Sequence, residues 1–234
     1  MSQPEPVEKP KIPGWAIPVA ITAVIAILLF VSNQPIVGTE GRPLVTSTDV
    51  YRQFSDQALA DSKDILAKWD RGETVTQEER LKLQGALEKY DAMSDFNPVG
   101  FEPYYVSGKI NLILDRPDRA DSRIRQSIIN GLDALRRTSP VKDAERVKVL
   151  KLTLAEAHYV NSRVQFKLGN FKDAETEAAA AASEVPTAPV YWWALGSALV
   201  ELGKVPQAKI AVENALNLDP SFKPAQQLKQ LIER

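Results

Sequence analysis

The feature that most constrains this 234-residue chain is a segment near the C-terminus that repeats itself at a fixed offset. Residues at four positions recur after 34 residues: Gly169 and Gly203, Ala174 and Ala208, Ala181 and Ala215, and Pro186 and Pro220. Small residues, a turn glycine and a closing proline at this period are typical of stacked helical hairpins. Each hairpin in such a stack buries its apolar face only against its neighbours. The repeat therefore predicts a helical array in this part of the chain.

The N-terminal part of the chain predicts a membrane anchor that precedes the array. Residues 1–14 are rich in Pro, Glu and Lys, a composition typical of disorder. Residues 15–31 form an uncharged, mostly apolar run of 17 residues, which as a helix would extend about 26 Å and could span a bilayer. Residues 32–46 contain two prolines and two glycines and are interpreted as a linker.

A cleaved signal peptide is the alternative interpretation of residues 15–31. We favour an uncleaved anchor, because the apolar run is long and no Ala-x-Ala cleavage site follows it. Lys9 and Lys11 closely precede the run, and the next basic residue after it is Arg42. By the positive-inside rule, the N-terminus is then cytoplasmic and the C-terminal domain extracytoplasmic, which in a bacterium means periplasmic.

From residue 47 onward the sequence predicts helices interrupted by short breaks. Residues 97–100, with the order Asn-Pro-Val-Gly, are one such break. Ser139 and Pro140 predict the start of a long helix that ends near Leu168. Alternation of apolar and polar residues, which would indicate half-buried strands, is absent from the sequence. The predicted class is all-α, with a helical region of divergent hairpins over residues 47–154.

One segment, residues 189–222, carries large and small residues in a defined order. These residues are Trp192, Leu195, Gly196, Leu199, Ala208, Val212 and Pro220. The order resembles the tetratricopeptide repeat (TPR) pattern, W-x2-L-G-x2-Y, then A-x3-F, then P. Leu199 stands in place of the Tyr and Val212 in place of the Phe, and both are apolar. In the TPR family, the small residues let the two helices of a hairpin approach closely.

Neighbouring segments extend the resemblance. Residues 155–188 are a weaker copy in which polar residues replace the Trp and Leu-Gly of the pattern, so residues 155–222 are interpreted as two TPR repeats. Residues 101–134 keep part of the spacing and are a candidate third unit, with Asp115 where the turn glycine belongs. Residues 223–234 have the pattern of an amphipathic capping helix, which α-solenoids need to cover their last apolar face.

The resemblance also implies a binding surface. In the TPR family the first helices of successive hairpins line a groove that binds other proteins or peptides. The matching positions here are Tyr159, Arg163, Phe166, Lys167, Val190, Trp193, Ser197, Val200 and Glu201. Tyr105, Lys109 and Leu112 would join them if residues 101–134 stack in the same way. The Lys/Asn/Arg clamp with which some members hold a terminal carboxylate is not reproduced at Tyr159 and Arg163.

Two adjacent tryptophans fall at this predicted groove. Trp192 and Trp193 must point to different faces of one helix, and the pattern places Trp192 in the core. Trp193 is then at least partly exposed, and a tryptophan beside Tyr159 and Arg163 has the composition of a binding hot spot. The alternative is that Trp193 packs against the preceding repeat and binds nothing.

The residue types that catalysis and metal binding require are scarce. The chain has no cysteine and one histidine, His158, which takes the place of a buried Trp in the repeat and is predicted to lie in the core. The chain therefore lacks nearly all the residues that serine–histidine or cysteine–histidine catalysis requires. No phosphate-binding or dinucleotide-binding motif occurs in the sequence. We expect no catalytic residues, no cofactor and no metal. A net charge of −1 and acidic residues interleaved with the arginines of residues 116–151 argue against nucleic acid as a partner.

The sequence thus predicts a membrane-anchored protein–protein interaction module, either an adaptor or an assembly factor, with an extracytoplasmic TPR-like domain. A structural subunit of an oligomeric envelope complex is the alternative, and the chain could form a homo-oligomer. Both functions rest on analogy at the level of the fold.

Overall fold

Helices joined by short turns make up most of the described part of the chain, which in the computed structural model is residues 47–233. In chain order they are α1 (Ser47–Asp70), α2 (Gln77–Phe96), α3 (Glu102–Ile113), α4 (Pro117–Arg137), α5 (Ala144–Lys167), α6 (Phe171–Glu184), α7 (Pro189–Glu201), α8 (Val205–Leu218) and α9 (Lys223–Ile232). These residues contain no strand, so the predicted all-α class is confirmed for them. The predicted tail (1–14), membrane segment (15–31) and linker (32–46) lie outside the described residues. Within residues 47–233, no helix combines the length and the apolarity that crossing a bilayer requires.

The helices pack as a row of hairpins. Helix α1 packs with α2, α3 with α4, α5 with α6 and α7 with α8, and each hairpin also contacts the next one. The first helices contact each other as well, α3 with α5 and α5 with α7, so they form one continuous surface, which we call the first-helix face. Helix α9 packs on α7 and α8 at the end of the row. One buried apolar cluster extends from α1 to α7, and the hairpins therefore share a continuous core.

The first helix of each hairpin in residues 47–233 ends at the same kind of turn. Four residues with positive φ close these helices: Gly72 (76°), Asp115 (61°), Gly169 (76°) and Gly203 (69°). The Gly203 amide donates to the Val200 carbonyl and the Lys204 amide to the Leu199 carbonyl, each at 2.9 Å, and equivalent bonds form at the other three turns. Such pairs of bonds satisfy carbonyls left open at a helix end. Glycine has no Cβ that opposes a positive φ, and aspartate tolerates it at single positions.

Two hairpins close around a glycine in the same register. A Cβ at Gly196 would lie 3.1 Å from Val212 Cγ2, and one at Gly108 would lie 2.5 Å from Ile124 Cδ1. In both hairpins the contacted residue follows the glycine by 16 positions. The close approach that the repeat pattern predicts for residues 189–222 is therefore also present in residues 101–134.

The weaker copy over residues 155–188 uses polar bonds where the repeat pattern has apolar residues. Asn161 and Gln165 are fully buried. The Gln165 amide donates to the Asp121 carboxylate of α4, and the Gln165 oxygen accepts from the Asn170 amide at 3.0 Å. These bonds connect α4, α5 and the turn that leads into α6. Hydrogen bonding, which buried amides need, thus replaces part of the side-chain packing in this hairpin.

Two predictions about α5 are wrong. The helix does not begin at Ser139 and Pro140 but at Ala144, because Asp143 caps it: the Asp143 carboxylate accepts from the Arg146 amide at 3.2 Å. A carboxylate in this position satisfies an open amide of the first turn. His158 does not lie in the core. It is half-buried, with Nδ1 2.6 Å from Glu177 Oε2 in α6.

Replacing Gly108 tests the close approach of α3 and α4. We expect Gly108→Ala to lower the free energy of unfolding by about 1–3 kcal/mol, because the added methyl group forces Ile124 or its helix to move. Gly85→Ala is the matched control, since Gly85 lies inside α2 and a Cβ there meets no neighbouring side chain or helix within 4 Å. The control should be neutral or stabilising by up to about 1 kcal/mol, through higher helix propensity. Urea unfolding followed by circular dichroism compares the two variants, and equal effects would contradict the packing role of Gly108.

Candidate functional site

The first-helix face carries matching residues in successive hairpins. Tyr105 in α3, Tyr159 in α5 and Trp193 in α7 each stand ten residues before the turn residue of their hairpin. Four residues after the two tyrosines stand the cationic residues Lys109 and Arg163. Positions four residues apart share one side of a helix. Helices α3 and α5 therefore each direct an aromatic and a cationic side chain toward the same face.

Three residues from distant parts of the chain form the central surface of this face. The Arg163 guanidinium carbon lies 4.4 Å from the centre of the Trp69 ring, and Arg163 donates to the Tyr159 hydroxyl at 3.2 Å. Trp193 is half-buried and meets the Phe222 ring edge-on, with 6.3 Å between ring centres. Trp69, Arg163 and Trp193 line both of the clefts described next, and we call them the shared wall.

The first cleft has a volume of about 650 Å³ and lies between the α1–α2 turn and helices α3, α5 and α7. Its described lining adds apolar and charged residues to the shared wall, among them Val75, Leu112, Ile113, Phe166, Ala194, Glu73, Arg80 and Lys167. Arg80, from α2, donates to the Ile113 carbonyl at 2.7 Å. That bond holds the Arg80 side chain beside the C-terminal end of α3.

The second cleft has a volume of about 510 Å³ and lies between the end of α1, helices α5 and α7 and the segment that precedes α9. Its described lining adds to the shared wall, among others, Asp70, Glu156, Tyr159, Pro189, Val190, Phe222, Lys223 and Pro224. Segments from the first and last parts of the described chain thus meet at this cleft. An array of hairpins can bring them together because each hairpin is rotated relative to the preceding one.

A buried charge cluster lies at the base of the face. Lys109 Nζ is 2.6 Å from Asp70 Oδ1 and 3.5 Å from Glu156 Oε1. Glu156 also accepts from the Tyr105 hydroxyl at 3.1 Å and from the Tyr191 hydroxyl at 2.8 Å. The cluster connects α1, α3, α5 and α7. All three charged side chains are at most 6% exposed, so solvent screens them little.

The partners in this cluster set the protonation of its members. Burial by itself would lower the pKa of Lys109, but the Asp70 and Glu156 carboxylates outweigh it and hold that pKa above its ordinary value. Burial raises the pKa values of Tyr105 and Tyr191 far above the ordinary value, and the negative charge of Glu156 raises them further. Both hydroxyls therefore stay protonated and donate to Glu156.

The structure brings most of the predicted groove residues to the two clefts. Seven of the nine line at least one of them: Tyr159, Arg163, Phe166, Lys167, Val190, Trp193 and Ser197. Val200 and Glu201, one helical turn beyond Ser197 on α7, are not part of the described linings. Val200 packs against the apolar cluster of α7 and α8, and Glu201 is exposed.

The residues of the candidate third unit and Trp192 also lie in different places. Leu112 lines the first cleft, whereas Tyr105 and Lys109 are buried in the charge cluster. Trp192, predicted to be a core residue, is half-buried. It packs against the core, and its indole N–H donates to the Pro186 carbonyl at 2.9 Å. The two tryptophans do point to different surfaces, as predicted.

Sequence reasoning missed several residues of the site, among them Trp69, Arg80, Glu156 and Phe222. Trp69 lies three residues before the turn glycine Gly72, the position that Phe166 occupies before its own turn glycine. That spacing can be read from the sequence and could have indicated Trp69, although α1 and α2 otherwise match the repeat pattern poorly. Glu156 holds the same place in its hairpin as Val190, and its partners could not be foreseen. No local signal indicated that Phe222 would reach Trp193.

The described residues offer no evident site for a metal. In residues 47–233, no group of three or more His, Cys, Asp or Glu side chains has the arrangement that would hold an ion.

Comparison with solved structures shows which fold this is. Two crystal structures of MamA share 18% sequence identity with the chain, with TM-scores of 0.56 and 0.53. The first covers 79% of this chain and 81% of MamA, and the second covers 67% and 80%. YrrB, described as a TPR protein with an unusual peptide-binding site, is 12% identical over 80% of this chain and all of that one, but a TM-score of 0.32 is too low to show a common fold.

The likeness to MamA shows the fold alone, an α-solenoid of TPR-like helical hairpins. No protein-family model matches the chain. No curated protein sequence matches it either.

Lys109→Met tests how far the face depends on the buried charge cluster. We expect the free energy of unfolding near neutral pH to fall by about 3–5 kcal/mol, because two buried carboxylates lose their cation. Lys89→Met is the matched control, since Lys89 and Asp61 pair at 2.6 Å in a partly exposed position. Such a pair is worth at most about 1 kcal/mol.

The pH dependence separates this role from ordinary packing. Burial raises the pKa of the Asp70 carboxyl, and Lys109 is a cation that opposes this rise. Without Lys109, the pKa of Asp70 in the folded variant rises further, so folding takes up a proton and stability recovers as the pH falls. Urea unfolding of Lys109→Met between about pH 7 and about pH 4 should therefore show a shrinking deficit relative to the wild type. A deficit that does not change with pH, or one no larger than that of Lys89→Met, would contradict the role of Lys109.

Proposed function

We propose that this chain is a membrane-anchored protein–protein interaction module, an adaptor or assembly factor that holds a segment of its partner in the clefts of the first-helix face. It acts by binding and not by catalysis. Residues 15–31 anchor it, and residues 47–234 form the extracytoplasmic domain. The anchor and the orientation are supported by the apolar run and by the basic residues before it.

The shared wall is the observation that carries this proposal. Trp69, Arg163 and Trp193 come from three helices far apart in the chain, yet they line both clefts. Tryptophan and arginine are enriched among the residues that dominate binding energy in protein interfaces. Clefts of about 650 and 510 Å³ suit side chains of an extended segment.

The fold supports a binding role in a general way. Arrays of helical hairpins present extended surfaces made by equivalent positions of successive hairpins, and the first-helix face has that construction. The continuous core from α1 to α7 holds the two tryptophans of the shared wall in place. A preformed surface loses less conformational entropy when a partner binds.

The alternative function, a structural subunit of an oligomeric envelope complex, has support on other surfaces. Ile129 on α4, Ile210 on α8 and Leu231 on α9 are each at least 57% exposed. Aliphatic residues on exposed surfaces can mark contacts with other subunits. They are on separate helices, however, whereas the aromatic residues of the shared wall converge.

Trp193→Ala provides the test. The full-length tagged chain and the variant are expressed in native cells, solubilised in mild detergent and captured, and co-purifying proteins are identified by mass spectrometry. We expect Trp193→Ala to reduce the recovery of at least one partner about tenfold or more, the range for a binding hot spot. Helical content should stay unchanged, because Trp193 is only half-buried.

Ile210→Ala is the control, since Ile210 is 60% exposed on α8 and is not part of the described lining of either cleft. Identical partner sets in wild type and Trp193→Ala would count against binding at the first-helix face. Loss of partners in Ile210→Ala instead, together with self-association in light scattering, would favour the structural subunit.

A further inference from the structure

Two of the three cationic side chains in the described lining of the first cleft bond to neutral oxygens. Arg80 and Arg163 line the cleft, and within residues 47–233 neither has a carboxylate within 4 Å of its guanidinium nitrogens. Their hydrogen bonds go to neutral oxygens instead, the Ile113 carbonyl and the Tyr159 hydroxyl. Each guanidinium has five N–H donors, so donors remain for a ligand.

The other charged residues of the cleft do not neutralise Arg80 and Arg163. Lys167 also lines the cleft and pairs with Asp115 at an exposed position, where such a pair is weak. Glu73 is the acidic residue of the described lining, and it pairs with Arg71 at 2.5 Å. The described lining of the first cleft therefore holds three cationic side chains and one carboxylate.

Aromatic and aliphatic groups stand directly beside these cations. The Arg163 guanidinium lies over the Trp69 ring, and Phe166, Trp193 and Leu112 line the same cleft. A guanidinium held on an aromatic ring is oriented before a ligand arrives, which favours bonding to a carboxylate. Arg80 lies on α2 and Arg163 on α5, so the two cations reach the cleft from different helices.

From this combination we infer that the first cleft binds an extended acidic segment of a partner protein. One or more Asp or Glu side chains of the segment bind Arg80 and Arg163, and an adjacent aromatic or aliphatic side chain packs against Trp69, Phe166 and Trp193. The inference rests on the proposed function and adds the chemistry of the partner. The proposed ligand is an internal stretch of chain, which carries its acidic groups on side chains.

A peptide selection tests the inference and does not require that the partner be identified first. The purified full-length chain in mild detergent is presented with a library of short random peptides fused at their C-termini to the display carrier, so that no terminal carboxylate is free. We expect the selected peptides to place Asp or Glu next to an aromatic or aliphatic residue. One selected peptide is then labelled, and its affinity is measured by fluorescence anisotropy.

Substitutions on both sides of the contact locate it. Replacing each Glu or Asp of the peptide by its amide should weaken binding to the wild type by about tenfold or more, a typical effect for charge-assisted bonds. The same replacement should have little further effect on Arg163→Gln or Arg80→Gln, because the bond is already lost. Arg119→Gln is the matched control, since Arg119 is exposed on α4 and is not part of the described lining of either cleft.

The possible results separate this inference from the proposed function. Selected peptides that lack acidic residues but lose binding in Trp193→Ala would overturn the acidic ligand and leave the proposed function intact. Acidic peptides that bind Arg80→Gln and Arg163→Gln as tightly as wild type would overturn the assignment to the first cleft. A library without any selected peptide, or binding indifferent to Trp193→Ala and Arg163→Gln, would overturn both. Self-association that excludes the peptide would assign the cleft to a second copy of the chain and also overturn the inference.

Discussion

The arrangement of the first-helix face depends on one buried ammonium group, that of Lys109. Lys109 sits between Asp70 and Glu156, and Glu156 in turn accepts hydrogen bonds from tyrosines of α3 and α7. Burying charges is expensive unless each has a close partner, so these side chains tolerate few alternative arrangements. Asp70 is the last residue of α1 and the neighbour of Trp69. The cluster thereby fixes the end of the first hairpin against α3 and α5, where Trp69 reaches Arg163 and helps to form both clefts.

Around this cluster, the regular spacing of residues in the hairpins places equivalent side chains on one surface. Close contact at Gly108 and Gly196 and the shared turn geometry at the ends of the first helices give neighbouring hairpins similar shapes. Equivalent positions therefore align on one face, which is why Tyr159 and Trp193 occur together. The same regularity leaves room for local variation: Gln165 replaces apolar packing with hydrogen bonds that satisfy both atoms of its buried amide.

Part of the lining of the two clefts followed from the repeat pattern, and the pattern missed other residues for identifiable reasons. The pattern located Arg163, Phe166 and Trp193 because repeat positions determine which side of a helix a residue occupies. It also assigned Val200 to the groove, but a position in a repeat does not tell how far a cleft extends along a helix. Trp69 was missed because its hairpin shares little with the pattern besides the glycine turn.

The sequence by itself determined the local features of this protein: the helices, the glycine turns, the small residues at hairpin contacts and the side of each helix that faces the groove. These depend on residues within about 16 positions of one another, so periodicity and residue type are sufficient to predict them. Only the tertiary structure decided that Trp69, Arg163 and Trp193 share a wall, that Lys109 is buried between two carboxylates, and that within residues 47–233 the side chains of Arg80 and Arg163 bond to neutral oxygens. Those relations depend on the rotation of each hairpin relative to the preceding one. This rotation is the sum of small packing differences between hairpins, and it cannot be predicted from the sequence of one segment.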